Sequence, residues 1–500
     1  MGVFIVASHA VSVDEVVTLS DAPQVLAIPP GLRFLQQSPL PVSAVRAFEW
    51  HAAPGALERL SPPWEDVRVI SRTGGIADGG MVTLSVPTGP IRQTWVAHHD
   101  RCVWGHEFRD VQIKGPFAKF EHTHRFLPTS PHGCELQDDI HYLPPGGALG
   151  RWLGRGFIEN KLRTMFDYRH GVTSADLDQW RTLHDSGFQP QNILVSGATG
   201  LVASQLIPLF TTQGHRVARL LRKPSTSAFP TGLPDVLWNS ETGEISEGEL
   251  QGVTAVVHLA GENIAGARWT PEVKQRIRDS RVVGTRKLCE LLAAMPHPPE
   301  VLVCASAIGF YGDRGTEPLT EDSSPGAGFL PEVCQEWEAA CEPARKAGIR
   351  VVNLRIGVVL SPQGGALQKL LLPFSMGAGG VVGDGRQVWS WISIDDLCGS
   401  ILHAIATRTL HGPVNATSPH PSTNAEFTRT LAKVLHRPAF IPVPAFAARL
   451  ALGEMANDLL FASSLVQPVR LLESGYQFRT PELEVALRHL LGRPASAARA

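Results

Sequence analysis

The sequence predicts two successive folding units of different class. The first is an α+β unit in which a curved antiparallel sheet wraps a long helix, and the second is an α/β unit built on a doubly wound parallel sheet. Up to about residue 141, short segments of alternating polar and apolar residues are separated by Gly, Pro and Asp, which is typical of antiparallel hairpins. After residue 190, apolar runs alternate with helical patterns, which is typical of a parallel sheet covered by helices on both faces.

Helices frame the hairpins of the first unit. A helical pattern covers residues 42–60, and Pro54 in its middle is expected to split it because proline breaks an α-helix. A longer amphipathic pattern covers residues 150–169. Residues 171–190 are polar without a strand pattern, so we expect them to form a linker.

Five apolar runs predict the strands of the parallel sheet. They cover residues 193–196, 216–221, 254–260, 301–306 and 350–359. Between the third and fourth runs, Thr270 followed by Pro271 predicts a helix start, because the threonine hydroxyl can cap the first turn and proline fits its first position.

Charge and cysteine usage limit the possible partners. The formal net charge of −2 gives no general attraction to nucleic acid or to acidic membranes, so we expect neither partner. No uninterrupted apolar run approaches the roughly 18 residues of a membrane span. The seven cysteines form no C-x-x-C pair, and Cys289, Cys304 and Cys398 lie in apolar surroundings, so we expect reduced thiols in the cytoplasm.

A glycine turn follows the first strand of the second unit. In "ILVSGATGLVAS", Gly197, Gly200 and Ala203 form G-x-x-G-x-x-A between a strand and a helix, within a β-α-β length, as in a Rossmann nucleotide-binding fold. Gly197 permits a tight turn, and Gly200 lets backbone amides approach a pyrophosphate. We assign Gly197, Thr199, Gly200 and Leu201 to cofactor binding; the alternative is a structural turn without a ligand.

Two cations follow the second strand. An NAD site would carry Asp or Glu here to bind the ribose hydroxyls, whereas this chain has Arg222 and Lys223. Because cations pair with a 2′-phosphate, we expect NADP(H) as the cofactor. The alternative is a pair of solvated charges at a strand end.

Further motifs in the same order carry a resemblance to a known family. "VSGATGLVAS", "VVHLAGENI", "SAIGFYGD", "LRIGVVLSP" and "WSWISIDDL" resemble the extended short-chain dehydrogenase/reductase superfamily of NAD-dependent epimerase/dehydratase type, and in particular its uncharacterised epimerase family protein branch. The first part of the chain more loosely resembles a START/polyketide-cyclase-like helix-grip domain. The expected domains are an N-terminal segment at 1–30, the helix-grip domain at 31–170, the linker at 171–190, the Rossmann domain at 191–445 and a small α-rich C-terminal domain of unknown function at 446–495.

The resemblance also implies site residues. His258, Leu259, Ala260 and Gly261 end the strand beside the adenosine ribose and the nicotinamide riboside, and Leu259, Ala260 and Gly261 are expected to bind the cofactor. Ser306 ends the next predicted strand, where the superfamily keeps its catalytic Ser or Thr. For His258 we expect instead a structural histidine at the sheet edge.

The usual Tyr-x-x-x-Lys pair of the superfamily is missing. In that pair the lysine ammonium lowers the pKa of the tyrosine, which then exchanges a proton with the substrate. The corresponding helix, "GFLPEVCQEWEAACEPARKAG", has no tyrosine, and its only lysine, Lys346, lies at the far end. Either Val333 with Trp337 or Cys334 with Glu338 occupies the i, i+4 positions of the pair.

Ser306, Tyr311 and Glu338 remain as the catalytic candidates. Tyr311 is the tyrosine nearest to Ser306, and its alternative role is to pack beside and orient the substrate. Glu336 and Glu338 are both candidate acids or bases, but at a spacing of two only one of them can face inward on a helix. Cys334 has no basic neighbour in the sequence and is not expected to act as a nucleophile.

A glycine cluster at residues 373–391 resembles the substrate wall of sugar-nucleotide epimerases. Its Arg386, Trp389 and Trp391 are expected either to meet a small-molecule substrate or to belong to a surface loop and the core. In the first unit, aromatic residues either line a cavity for an apolar ligand or form an ordinary core. The histidine pairs at 98–99 and at 122 and 124 have no third ligand in the sequence, so no metal site is predicted.

These observations predict an NADP(H)-binding, epimerase/dehydratase-like oxidoreductase whose substrate the sequence does not specify. The alternative is a non-catalytic NADPH-binding redox sensor or a carrier of an apolar ligand.

Overall fold

The structure is a computed structural model that describes residues 31–89, 91–224, 231–239, 242–245 and 250–493. The predicted N-terminal segment lies outside these residues. Within them, no helix is both long enough and apolar enough to cross a membrane. The two predicted units follow one another along the chain.

A seven-stranded antiparallel sheet forms most of the first unit. In chain order its elements are β1 (Leu32–Leu40), α1 (Ala44–Ala52), α2 (Ala56–Leu60), β2 (Arg68–Thr73), β3 (Met81–Thr88), β4 (Ile91–Val103), β5 (Glu107–Lys114), β6 (Lys119–Ser130), β7 (Gly133–Leu143) and α3 (Gly147–Asp185). Strands β2 to β7 form a continuous meander, and β1 pairs with β7. The helix break expected at Pro54 is confirmed by the gap between α1 and α2.

The sheet packs against α3. Leu162 and Phe166 of α3 are buried against Phe34, Phe120 and Ile140 of the sheet. The arrangement is the expected curved sheet wrapped around a long helix.

Most of the segment expected to be a linker is the second half of α3, which continues to Asp185. The sequence suggested a linker because this half is polar. One side of it is nevertheless buried: Thr173 and Asp176 have no exposed surface, and Asp176 forms ion pairs with Arg59 of α2 and Arg479 near the C-terminus. The helix therefore joins the two units instead of ending at the first one.

The second unit contains a seven-stranded parallel sheet. Its elements up to the last strand of this sheet are β8 (Asn192–Ser196), α4 (Ala203–Thr212), β9 (Arg216–Leu221), β10 (Val236–Leu237), β11 (Ala255–His258), α5 (Pro271–Ala294), β12 (Val301–Ala307), β13 (Pro318–Leu319), α6 (Phe329–Ala339), α7 (Glu342–Lys346), β14 (Arg350–Ile356), β15 (Val358–Leu360), α8 (Gly365–Ser375), β16 (Val388–Trp389), β17 (Trp391–Ser393), α9 (Ile394–Ala406) and β18 (Gly412–Ala416). The strand order in the sheet is β10-β9-β8-β11-β12-β14-β18. The remaining elements are β19 (Ser422–Thr423), α10 (Asn424–Leu435), α11 (Ala445–Leu452), β20 (Leu465–Val466), α12 (Val469–Glu473) and α13 (Leu483–Leu491).

Helices cover both faces of the parallel sheet, which confirms the doubly wound fold. One core joins alternate residues of β8 with α4 and α9, and the other joins the intervening residues with α5 and α7. The α5 start is as predicted, since Thr270 Oγ accepts a hydrogen bond from the Val273 amide. The small helices near the C-terminus complete the fold.

Candidate nucleotide cleft and catalytic network

The direction of winding changes at β8. The chain passes from β8 to β9 on one side and later returns to β11 on the other side. In open parallel sheets, ligands bind outside the carboxyl ends of the strands at such a switch point. The predicted glycine turn follows β8, and Leu259, Ala260 and Gly261 follow β11, so the topology brings the two motifs to one crevice.

The glycine turn and the end of β11 fit closely together. Gly197 has φ of 66°, and a Cβ on it would lie 2.8 Å from the carbonyl carbon of Leu259 and 2.9 Å from the amide nitrogen of Ala260. Only glycine fits this backbone and this approach without strain. Gly200, in contrast, is exposed, and a Cβ on it would meet only the Gly197 carbonyl oxygen, at 3.1 Å. The turn therefore presents open backbone ahead of α4.

Leu201, Ala260 and Gly261 border the same crevice. Leu201 packs against the loop before α8, because a Cβ on Gly364 would lie 3.0 Å from its side chain. A Cβ on Gly261 would lie 3.2 Å from the Arg281 guanidinium carbon. Arg281, which the sequence reasoning missed, therefore adds a half-buried cation to the crevice; burial lowers the pKa of its guanidinium.

His258 has the structural role expected from the sequence. It has no exposed surface; its Nδ1 lies 2.6 Å from Ser196 Oγ and its Nε2 lies 3.0 Å from Thr285 Oγ1. The Thr285 hydroxyl also accepts a hydrogen bond from the Trp337 indole at 2.9 Å. Burial lowers the pKa of His258 to about 4, so the ring is neutral at physiological pH. Its hydrogen bonds connect β11 with β8 and α5, and Thr285 extends the connection to α6.

Arg222 and Lys223 are exposed immediately after β9. This is the carboxyl end of the strand next to β8, where the sequence placed the 2′-phosphate contact. Thr199 is exposed on the glycine turn between the two glycines.

Ser306 and Glu338 contact each other at the end of β12. The Ser306 hydroxyl donates to Glu338 Oε1 at 2.7 Å. Arg355 of β14 holds the same carboxylate from the other side, through Nε at 2.8 Å and Nη2 at 3.0 Å. Burial lowers the pKa of the Arg355 guanidinium, but the charge and hydrogen bonds of Glu338 outweigh this and raise it overall. Arg355 thereby fixes the carboxylate beside the serine.

Tyr311 joins this network without facing the cleft. It has no exposed surface, and its hydroxyl accepts from Arg355 Nη1 at 2.9 Å and donates to Asn415 Oδ1 at 2.7 Å. Burial raises the pKa of its hydroxyl, although the Arg355 charge opposes this. The buried and bonded hydroxyl disfavours the role of surrogate acid and gives Tyr311 instead the role of fixing Arg355.

Helix α6 settles which residues take the positions of the missing Tyr and Lys. Cys334 Sγ lies 3.8 Å from the Ala307 carbonyl oxygen, and Glu338 contacts Ser306, so this pair faces the strand end. Glu336 faces away and lies 3.5 Å from Arg278 on the surface. Burial raises the pKa of the Cys334 thiol to about 12, which agrees with its expected lack of nucleophilicity.

Arg355 and Asn415 are network residues that the sequence reasoning missed. Arg355 lies within the quoted motif "LRIGVVLSP", so its position at the end of a predicted strand was the available signal. Nothing local linked it to Glu338, which is 17 residues earlier.

The predicted substrate wall is only partly exposed. Arg386 is exposed, whereas Trp391 is buried and its indole donates to the His420 carbonyl. The Trp389 indole donates to the Leu460 carbonyl. The tryptophans thus serve the core, as the alternative interpretation proposed, and Arg386 remains available to a ligand.

Comparison with known proteins identifies families that match three successive parts of the chain. The family model described as NAD dependent epimerase/dehydratase family matches residues 193–416, Polyketide cyclase / dehydrase and lipid transport matches 40–167, and a domain of unknown function, DUF1731, matches 443–490. The Epimerase family protein Mb2239 of Mycobacterium bovis is 39% identical over 302 residues, which cover 60% of this chain and 98% of the relative. The chain belongs to the epimerase family proteins.

Two solved structures extend the comparison. A nucleoside-diphosphate sugar epimerase from Corynebacterium glutamicum has a TM-score of 0.75 and 32% identity, covering 93% of this chain and 91% of its own. Human epimerase family protein SDR39U1, solved with NADPH, has a TM-score of 0.56 and 35% identity, covering 60% of this chain and 99% of its own. The first of these relatives shares both units of this epimerase family chain, and the second shares the part that contains the cleft.

Proposed function

We propose that this epimerase family protein binds NADP(H) at the glycine turn and exchanges hydride with a carbonyl or alcohol carbon of a small molecule. The observation that carries the proposal is that the glycine turn after β8 and the Ser306–Glu338–Arg355 network at the ends of β12 and β14 lie at the same carboxyl edge of one parallel sheet. The NADPH in the human relative supports the choice of cofactor.

The chain offers suitable partners for each part of the cofactor. The exposed turn at Thr199 and Gly200 suits the diphosphate, because it leads into the N-terminus of α4, which no side chain caps. Arg222 and Lys223 suit the 2′-phosphate. Leu259, Ala260 and Gly261 suit the ribose and nicotinamide side of the crevice.

Ser306 and Glu338 handle the proton in this proposal. When bound, the cofactor supplies or accepts hydride at C4 of its nicotinamide. During oxidation of an alcohol, Ser306 Oγ accepts the proton of the substrate hydroxyl, and the proton of the Ser306 hydroxyl passes to Glu338. The substrate therefore loses its hydroxyl proton and its hydride together. Arg355 keeps Glu338 in place between turnovers, and Tyr311 fixes Arg355.

The test begins with calorimetric titration of the full chain with NADPH and NADH. Turnover is then followed as absorbance of the reduced nicotinamide with quinones, aldehydes and nucleotide sugars. Glu338→Gln and Ser306→Ala should each lower kcat by about 100-fold or more, as expected for loss of acid-base assistance, without weakening NADPH binding. Glu336→Gln, on the solvent side of the same helix, is the matched control and should leave kcat unchanged.

A second candidate is an NADPH-binding redox sensor or ligand carrier without turnover. The observation that favours it is that residues 328–348 contain no tyrosine and only Lys346 at their far end, so the Tyr-x-x-x-Lys pair of the superfamily is absent. NADPH binding combined with no turnover of any substrate class would select this candidate. Failure to bind either dinucleotide would refute both.

The cytoplasm is the proposed location. All seven cysteines are unpaired, and six of them are buried. This pattern suits a reducing compartment.

A further inference from the structure

A cluster of histidine and aspartate side chains lies inside the first unit, between the sheet and α3. The antiparallel register places His99, Asp110 and His122 side by side on β4, β5 and β6. One row along, His124 of β6 lies opposite Asp138 of β7. Because residues opposite one another in a sheet point to the same face, all five side chains share one face.

Three of these side chains direct donor atoms to one point. Asp110 Oδ1 lies 3.3 Å from His122 Nδ1 and 3.5 Å from His124 Nε2, and the ligand atoms of the three residues all lie within 4.8 Å of one another. Two ligands of a tetrahedral ion with bonds of about 2.05 Å are separated by about 3.3 Å. The two distances from Asp110 are therefore close to those between the ligands of a tetrahedral ion.

The outer nitrogens of the two histidines both lie beside Asp138. His122 Nε2 is hydrogen-bonded to Asp138 Oδ1 at 3.0 Å, whereas His124 Nδ1 lies 2.6 Å from the same oxygen without forming a hydrogen bond. The other oxygen of Asp138 is hydrogen-bonded to His170 Nε2 of α3 at 2.7 Å. A carboxylate behind metal-ligating imidazoles fixes the ring orientation and raises the basicity of the ligand.

The cluster combines carboxylates with imidazoles, which are donor types of transition-metal sites. The Asp138 side chain is buried, whereas the Asp110 side chain is 17% exposed. Nδ1 of His99 is moreover buried with no hydrogen-bond partner in the described residues, so the polar network is incomplete.

We propose that Asp110, His122 and His124 bind a divalent transition-metal ion of the Zn²⁺ class, with Asp138 as the carboxylate behind both imidazoles. Two imidazoles and a carboxylate are a donor set that such ions prefer. Three protein ligands leave a coordination position for water or for an oxygen atom of a ligand. The Asp110 side chain, 17% exposed, gives the route of access.

The test measures metal binding by the full chain and is independent of nucleotide turnover. Protein stripped with a chelator is incubated with excess Zn²⁺, desalted and analysed for metal per chain. The wild-type protein should retain about one equivalent. Asp110→Asn and His124→Gln should abolish retention, and Asp138→Asn should weaken binding by about 10–100-fold, as for loss of an outer-shell partner.

His98→Gln is the matched control, because His98 is the neighbour of His99 on β4 and points to the opposite face of the sheet. It should retain Zn²⁺ like the wild type. Far-ultraviolet circular dichroism reports whether each variant folds. If a ligand variant does not fold, the visible spectrum of Co²⁺-loaded wild-type protein decides: intense four- or five-coordinate bands support the site, and weak six-coordinate bands overturn it. Absence of retained Zn²⁺ in the wild type, or equal retention in folded Asp110→Asn, also overturns the proposal and leaves a buried ionic network.

Discussion

Arg59 is a buried residue at the contact between the two units. Its guanidinium donates to Asp176 of α3 at 2.9 and 3.0 Å and to Asp395 of α9 at 2.9 Å, and it has no exposed surface. Arg59→Met fills much of the same space but removes the charge. We predict that this substitution strongly destabilises the protein.

The expected loss follows from the two carboxylates that remain. Removing one partner of a buried ion pair costs about 3–5 kcal/mol because the other charge stays buried and uncompensated. Arg479 still reaches Asp176 at 2.7 Å and His489 still reaches Asp395 at 3.1 Å, which places the loss near the lower end, at about 3 kcal/mol.

Urea unfolding at neutral pH, followed by tryptophan fluorescence, measures the change in the free energy of unfolding. Arg68→Met is the matched control, because Arg68 forms a similar bidentate pair with Asp66 at 2.9 Å but is 64% exposed. It should cost much less than Arg59→Met, because exposed ion pairs contribute little to stability. In the Arg59→Met background, Asp395→Asn should recover part of the loss, since it removes one stranded charge.

Equal losses for Arg59→Met and Arg68→Met would refute the reasoning, because burial would then contribute nothing to the energy of the pair. A further loss on adding Asp395→Asn would show that the remaining carboxylate is not the source of the cost.

Three other predictions concern the cleft. Gly197→Ala should abolish NADPH binding measured by calorimetry, because the new Cβ meets the Leu259 backbone. Gly214→Ala is the control and should keep NADPH binding, because Gly214 also has a positive φ, of 91°, but has open space around it. Equal binding by both variants would contradict the close contact inferred between Gly197 and Leu259. Charge removal at Arg222 and Lys223 should weaken NADPH binding and leave NADH binding nearly unchanged, and an equal effect on both would assign the cations to another role. The folded-state pKa of His258 lies below its unfolded value of about 6.5, so the unfolded state gains the proton first as pH falls. The free energy of unfolding should therefore decrease between pH 6.5 and pH 4, by up to about 3 kcal/mol. His258→Gln should remove that part of the pH dependence in urea titrations, and an unchanged slope would contradict it.

The two units and the glycine turn followed from local patterns. Strand runs such as residues 193–196, the capped start of α5 and the split at Pro54 depend on neighbouring residues alone, so short stretches of sequence sufficed to predict them. The same holds for the cations after β9. In the second half of α3 the local signal failed, because its polar face is buried by partners that lie far away in the chain.

The catalytic network and the histidine cluster required knowledge of which elements meet. The amino-acid order named Ser306, Tyr311 and Glu338 as candidates, but only the packing of α6 against β12 and β14 chose Glu338 over Glu336 and enclosed the Tyr311 hydroxyl. Likewise, the register of β5 against β6 brought Asp110 to the histidines. Secondary structure is fixed largely by near neighbours and side-chain periodicity, whereas hydrogen bonds and ion pairs between distant residues depend on how the completed elements pack, which no short stretch of sequence encodes.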